Sequence, residues 1–262
     1  MGWLRNWRRR RLLEHHRIDE ALWRSVTQAL PYLRGFAAQD LRRLRDMALV
    51  LLVEKDFTGA RGFELDDAMR LSIAVQACLP VLRLGLDRYD GWSEVIVYPG
   101  DFRVPISETD DAGVVHEFKD ARAGESWPRG PVVLSWDTAA NAPDMNVVIH
   151  EFAHKLDMAN GEADGLPPLH AGMDRRAWAE VFRVAYEGFC DAVDRGQETW
   201  MDPYAAHSPG EFFAVISEKF FIEGAEARRR YPDVYEQLKQ FYRQDPAARA
   251  QYRSTATSPL RA

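Results

Sequence analysis

Residues 147–157 read Val-Val-Ile-His-Glu-Phe-Ala-His-Lys-Leu-Asp, and positions 150–154 of that run form an H-E-x-x-H motif. Apolar Val147, Val148 and Ile149 before the motif, with Phe152, Ala153 and Leu156 in and behind it, predict a buried helix that is polar only where chemistry needs it. On a helix, the four-residue spacing stacks His150 and His154 one turn apart on one face, where both imidazoles reach a single Zn²⁺. Glu151 then stands beside the metal without ligating it, the position of a general base for the attacking water. The segment predicts metal-assisted hydrolysis, most often of peptide bonds. The pattern arises by chance in roughly one chain of this size in a hundred, and the competing reading is an ordinary surface helix. The apolar flanks weigh against that alternative.

The chain has 262 residues, 46% hydrophobic and 28% charged, enough for a sizeable core in one large or two small domains. No run of about 18 apolar residues is present, so no membrane-spanning helix is expected. The basic cluster near the N-terminus has no apolar stretch or small-residue cleavage site behind it, and Asn6 stands where a myristoylation signal has Ser or Thr. Cys78 and Cys190 lie far apart and outside any Cys-x-x-Cys, which argues against a disulfide framework and a thiolate metal site. These features predict a cytoplasmic protein.

Residues 1–50 hold 11 Arg against 5 acids, a balance of +6 that leaves −12 for the rest if the net charge is −6. The basic stretch reads first as a solvated helix and second as a docking patch for an acidic partner, centred on Arg8, Arg9, Arg10 and Arg11. It is short and lacks a recognised nucleic-acid-binding motif, so no direct nucleic-acid partner is expected.

Through residue 90 the periodicity is helical. Ile18, Leu22 and Val26 step by four, Leu41, Leu44, Ala48, Leu51 and Leu52 form a stripe, and a further helix is expected over about 65–79, with Met69, Ile73, Val75 and Ala77 buried and Pro80 beyond its end. After Gly91, strands are expected at Trp92–Tyr98, Phe102–Ile106, Val114–Phe118 and Val132–Trp136, together making a small sheet. Residues Pro131 to Asp137, just before the His150 helix, are the candidate edge that aligns an extended peptide, with a plain structural strand as the equal alternative. A helix over 175–194, carrying Trp178, Val181, Phe182 and Tyr186, is expected behind the active-site helix. Others follow Ser208-Pro209 and span about 233–242, and residues 250–262 have the composition of a disordered tail.

A catalytic zinc uses three protein ligands, so a third must join the two imidazoles. His170, Glu162, Asp164, His207, Glu211 and Glu218 are the candidates. Glu211 is the best placed, three residues after a Ser208 cap and two after Pro209, although a capping acid occupies the same position. Asp157, one turn past His154, is placed to hold a ligand imidazole or the helix end by hydrogen bonding.

The sequence resembles the Mlc titration factor A family of bacterial zinc peptidases over roughly residues 10–245. The resemblance rests on H-E-F-A-H-K-L-D-M at 150–158, I-A-V-Q-A-C-L-P at 73–80, G-P-V-V-L-S-W at 130–136 and D-P-Y-A-A-H-S-P-G-E-F-F-A-V at 202–215. It is also similar to the protease domain of the lethal-factor zinc toxins around the first motif and around Tyr204 to Ala214. The resemblance implies that His150, His154 and Glu211 bind one zinc, that Glu151 is the base, and that Tyr204 faces the reaction centre, where its hydroxyl can donate to a developing oxyanion. It further implies aminopeptidase-like cleavage of small peptides and binding of the Mlc repressor, which governs a sugar phosphotransferase system. The chain departs from the toxin pattern at Val215, where those proteases carry a second acid; Glu218, one turn on, is either its substitute or simply solvated.

The resulting expectation is an α+β, zincin-like metallopeptidase, mainly helical with a small mixed sheet. It divides into a helical N-terminal region (1–90), a catalytic domain (91–228) and a C-terminal helix with a tail (229–262). The rival reading is a non-catalytic protein that titrates a repressor and keeps a structural or vestigial zinc. A structural zinc has no use for Glu151 or Tyr204, which favours the enzyme.

Overall fold

The computed structural model describes residues 2–109, 115–127, 129–141 and 145–249. The expected tail at 250–262 and the Val114 start of an expected strand fall outside these residues. The fold is mainly helical, with a mixed four-stranded sheet and a separate two-stranded one. Among the described residues no helix is long and apolar enough to cross a membrane.

The N-terminal helices are α1 (Gly2–His15), α2 (Glu20–Gln28), α3 (Ala38–Glu54) and α4 (Asp67–Cys78). Asp19 caps α2 by accepting from Leu22 N, and Asp66 caps α4 by accepting from Met69 N, each satisfying an amide that the helix itself leaves unpaired. The stripe on α3 buries Leu44, Ala48 and Leu51, and α4 is buried on nearly every side from Leu71 to Cys78. Between these helices lies β1 (Asp56–Gly59), which the helical reading of the first ninety residues overlooked. Four residues with one buried side chain, Phe57, are too short to show a period of two.

The main sheet runs β1, β2 (Glu94–Tyr98), β6 (Val132–Ser135), β5 (Gly124–Ser126). The first three are parallel, with Val95 opposite Val132 and Val97 opposite Leu134, whereas β5 is antiparallel to β6, with Glu125 opposite Val133. Two expectations change here. Residues 132–135 are flanked on both sides and buried throughout, so the terminal strand beside the His150 helix is β5 rather than the segment from Pro131 to Asp137. Trp136 begins a helix, α5 (Trp136–Asn141), because the Ser135 hydroxyl accepts from Thr138 N and ends the strand. The strand expected at 102–106 and residues 115–118 of the next one pair as β3 (Phe102–Thr109) with β4 (Val115–Arg122), an antiparallel ribbon outside the main sheet.

Helix α6 (Val147–Asp157) is the centre of the molecule, with all eleven residues buried. Asn146 caps it by accepting from Ile149 N at 2.8 Å. It packs on α8 (Pro209–Ile222), on β5 and β6, and on α4, while Phe152 sits edge-on to Tyr89 and Trp92. α7 (Arg175–Asp194) packs on α8, on α10 (Pro232–Tyr242) and on the turn at Pro203–Ala206, and α8 in turn packs on the His150 helix. α9 (Gly224–Arg230) joins α8 to α10, and one hydrophobic cluster runs from Ile18 to Ala247.

Candidate metal centre

The sheet and α8 clamp α6 from two sides and bring three side chains to one point. His150 and His154 lie one turn apart with ring centroids 4.8 Å apart, and their Nε2 atoms are separated by 3.1 Å. Glu211 comes from the first turn of α8, whose cap Ser208 accepts from Glu211 N at 3.1 Å. Its Oε2 lies 3.0 Å from His150 Nε2 and 3.3 Å from His154 Nε2. Donors held about 2.0–2.1 Å from a tetrahedral metal are separated by roughly 3.3 Å, close to the triangle seen here. The cluster can therefore hold a metal ion.

The remaining imidazole nitrogen of His150 explains why its ring points that way. Nδ1 lies 2.7 Å from Glu218 Oε1, and the other Glu218 oxygen accepts from Asn146 N at 2.6 Å. Donation from Nδ1 leaves the Nε2 lone pair facing Glu211 and His154. Glu218 is thus neither solvated nor in the ligand triangle. Buried at 3% exposure, it orients the first imidazole and anchors the cap of α6. Asn146 extends this chain to α4 through Gln76 Oε1, at 2.6 Å from its Nδ2.

Electrostatics agree with a cation site. Burial alone would raise the Glu211 carboxyl, but hydrogen bonds from both imidazoles outweigh it and hold Glu211 well below the usual carboxylate range. Burial disfavours a charged His150, yet Glu211 and Glu218 together push its pKa well up. Without a cation this ring is therefore a strong proton acceptor, and a metal competes for the same electron pair.

Glu151 is buried against β5, and its Oε2 has no hydrogen-bond partner. Burial raises its pKa, against the pull of His150 and His154. Gly124 makes room for it, since a Cβ there would collide with the carboxylate. Ser126 Oγ donates to the Glu151 carbonyl at 3.3 Å, tying the terminal strand to the helix.

Asp157 does a different job from holding an imidazole. Its Oδ2 accepts from Gly165 N at 2.8 Å, and its pKa is pushed up to about 7, chiefly by burial. Gly165 has φ +78° and rests directly on the Pro209 carbonyl, while Gly210 packs against Ala163. Asp157 thereby fixes the loop that seats the first turn of α8 and Glu211 with it. Asp157 Oδ1 and His154 Nδ1 are both buried without partners.

The other candidates lie elsewhere. His170 Nε2 donates to Phe241 O at 2.7 Å, and Asp164 accepts from Leu166 N at 3.0 Å. Glu162 and His207 are not part of the ligand cluster. Tyr204, 39% exposed, sits on the Pro203–Ala206 turn that packs against α8, with its ring 5.2 Å from that of His207. Asn146 and Gly124 were not anticipated, because their roles depend on which elements pack together.

The sequence pattern of the glucose-regulated metallo-peptidase M90 family matches residues 4–243. Mlc titration factor A of Salmonella gallinarum is 40% identical over 229 residues, covering 84% of this chain and 85% of that protein. Mlc titration factor A of Cronobacter sakazakii is 38% identical over 232 residues, covering 87% and 88%. The chain belongs to the M90 metallopeptidase family. The M90 match spans every element that builds the ligand triangle, from the terminal strand β5 through α6 to α8.

Proposed function

We propose that the chain is a zinc-dependent peptidase of zincin-like architecture, with His150, His154 and Glu211 as ligands, Glu151 as base and Tyr204 as oxyanion donor. One observation carries the reading: three donor atoms sit at tetrahedral-edge spacing, with the His150 tautomer set by Glu218. Membership of a metallopeptidase family supports it. A bound zinc supplies Lewis-acid polarisation of the scissile carbonyl and lowers the pKa of water. Glu151, its acidity weakened by burial, takes the proton of the attacking water and returns it to the leaving amine. Tyr204 donates its hydroxyl to the carbonyl oxygen as charge develops. β5, the terminal strand beside Glu151, takes an extended peptide by strand addition. Small peptides and aminopeptidase-like cleavage are the substrate expectation.

The relatives' name, Mlc titration factor A, favours a second reading in which the chain binds a repressor of that kind and its metal site is structural or vestigial. Metal content and peptide hydrolysis, compared between wild type and Glu151→Gln, separate the two. Peptidase chemistry requires about one zinc per chain in both and hydrolysis in wild type only. A zinc-loaded wild type that cleaves nothing across a broad peptide panel would leave the titrating protein.

A further inference from the structure

Helix α1 is docked by its charges and exposes its aromatics. Arg9 bridges Glu54 and Asp87, each at 2.7 Å, and Arg5 pairs with Asp87 at 3.0 Å and also with Asp90. Leu12 and Leu13 complete the inner face against the core. The outer face holds Trp3, Leu4 and Trp7, which are 75%, 60% and 47% exposed. Arg8, Arg10 and Arg11 are exposed on the same side, and the Arg11 guanidinium lies 4.8 Å from the centre of the Trp7 ring. The basic patch read from the sequence is thus split, because Arg9 is spent inside the protein. Two exposed indoles one turn apart are unusual on a surface with no partner, since each leaves a large apolar area in water.

We propose that this face of α1 binds the surface of an anionic phospholipid bilayer, holding the protein at a membrane without spanning it. The helical repeat puts Trp3, Trp7 and Leu4 in a central stripe, with Arg10 on one flank, Arg8 on the other and Arg11 between. Cations on both flanks of an apolar stripe suit a uniform anionic plane better than a single acidic patch. Indoles settle at headgroup depth, where ring and N–H each find a suitable phase, and guanidinium groups pair with phosphates. Glu54, Asp87 and Asp90 face Arg5 and Arg9, and the one acid of α1 itself, Glu14, lies exposed two turns beyond Trp7 in line with the stripe, where the three flanking arginines outnumber it. Two copies joined through this face would bring their arginines together, which disfavours self-association. The rest of the chain is strongly acidic, so attachment is weak, oriented through α1 and sensitive to salt. The proposal is independent of the peptidase reading.

The test is co-sedimentation of the full chain with phosphatidylcholine vesicles, with and without phosphatidylglycerol, at low and high salt. Binding is expected only with phosphatidylglycerol at low salt, together with a blue shift in tryptophan emission. Trp3→Ser/Leu4→Ser/Trp7→Ser and, separately, Arg8→Ser/Arg10→Ser/Arg11→Ser should each lower partition by about tenfold or more, with circular dichroism unchanged. Equal partition of the variants, equal binding to neutral vesicles, or no binding of wild type would overturn the proposal. So would binding of polyglutamate as tight as that of the vesicles and without an emission shift, which would assign the face to an acidic protein. A wild-type dimer dispersed by the tryptophan substitutions would assign it to a second copy.

Discussion

His150 and Glu218 lie 2.7 Å apart on two different helices, a contact that sets which imidazole nitrogen faces the ligand triangle. Replacing a carboxylate acceptor by an amide weakens that control, because the amide group can also present its N–H₂ to Nδ1 and favour the wrong tautomer. Glu218→Gln is expected to lower zinc affinity about ten- to a hundredfold while the fold persists. Competition against a chelator of known affinity measures it. Wild-type affinity would show that the ring is oriented by packing alone.

Gly124 bears on Glu151, the proposed base, in a comparable way. A Cβ there meets the Glu151 carboxylate, which is buried and has little room to retreat. Gly124→Ala is expected to cut kcat by about ten- to a hundredfold through displacement of the base, with zinc content unchanged because no ligand moves. Steady-state kinetics alongside metal analysis tests this. Normal turnover would mean that Glu151 has a second productive position.

The two residues differ in how visible they were from the sequence. His150, Glu151 and His154 declare themselves by spacing within one helix, and Ser208, Pro209 and Glu211 form a local start signal that needs no tertiary knowledge. The helical stripes on α3 and α4 were legible for the same reason. Glu218 was only half legible. It lies seven residues past Glu211, on the same face of α8, but that face matters only once α8 is known to pack on α6. Gly124–Ser126 gave no signal, because three residues with a leading glycine do not read as a strand. Missing β5 made 131–137 look like an edge, and hid the strand that lies against Glu151.

Asp157 links the site to stability through pH. Its ordinary value of 3.8 is pushed up to about 7, mainly by burial, so the folded chain holds this proton more tightly than the unfolded one. The stabilisation is fully present below about pH 3.8 and is lost as pH rises through about 7. Asp157→Asn keeps an acceptor for Gly165 N but cannot ionise. In the metal-free chain, the stability of wild type relative to Asp157→Asn should therefore decline from about pH 4 to above 7, by a few kcal/mol in order of magnitude. Urea unfolding across that range reads it, and a flat difference would show that Asp157 is charged throughout.

Tyr204 carries the prediction most specific to catalysis. Its backbone is fixed, since Asp202 accepts from Tyr204 N at 2.8 Å and the Pro203–Ala206 turn packs on the helix that carries Glu211. The residue is 39% exposed, so it is not sealed in the core. A donor aimed at a developing oxyanion stabilises the transition state more than the bound peptide, so its loss appears in kcat rather than KM. Tyr204→Phe keeps the ring beside His207 and should leave zinc content as in wild type. It should lower kcat by about ten- to a thousandfold, roughly 1.4 to 4 kcal/mol, with KM little changed. A variant with near-normal kcat would reduce Tyr204 to a packing residue and require another donor for the oxyanion.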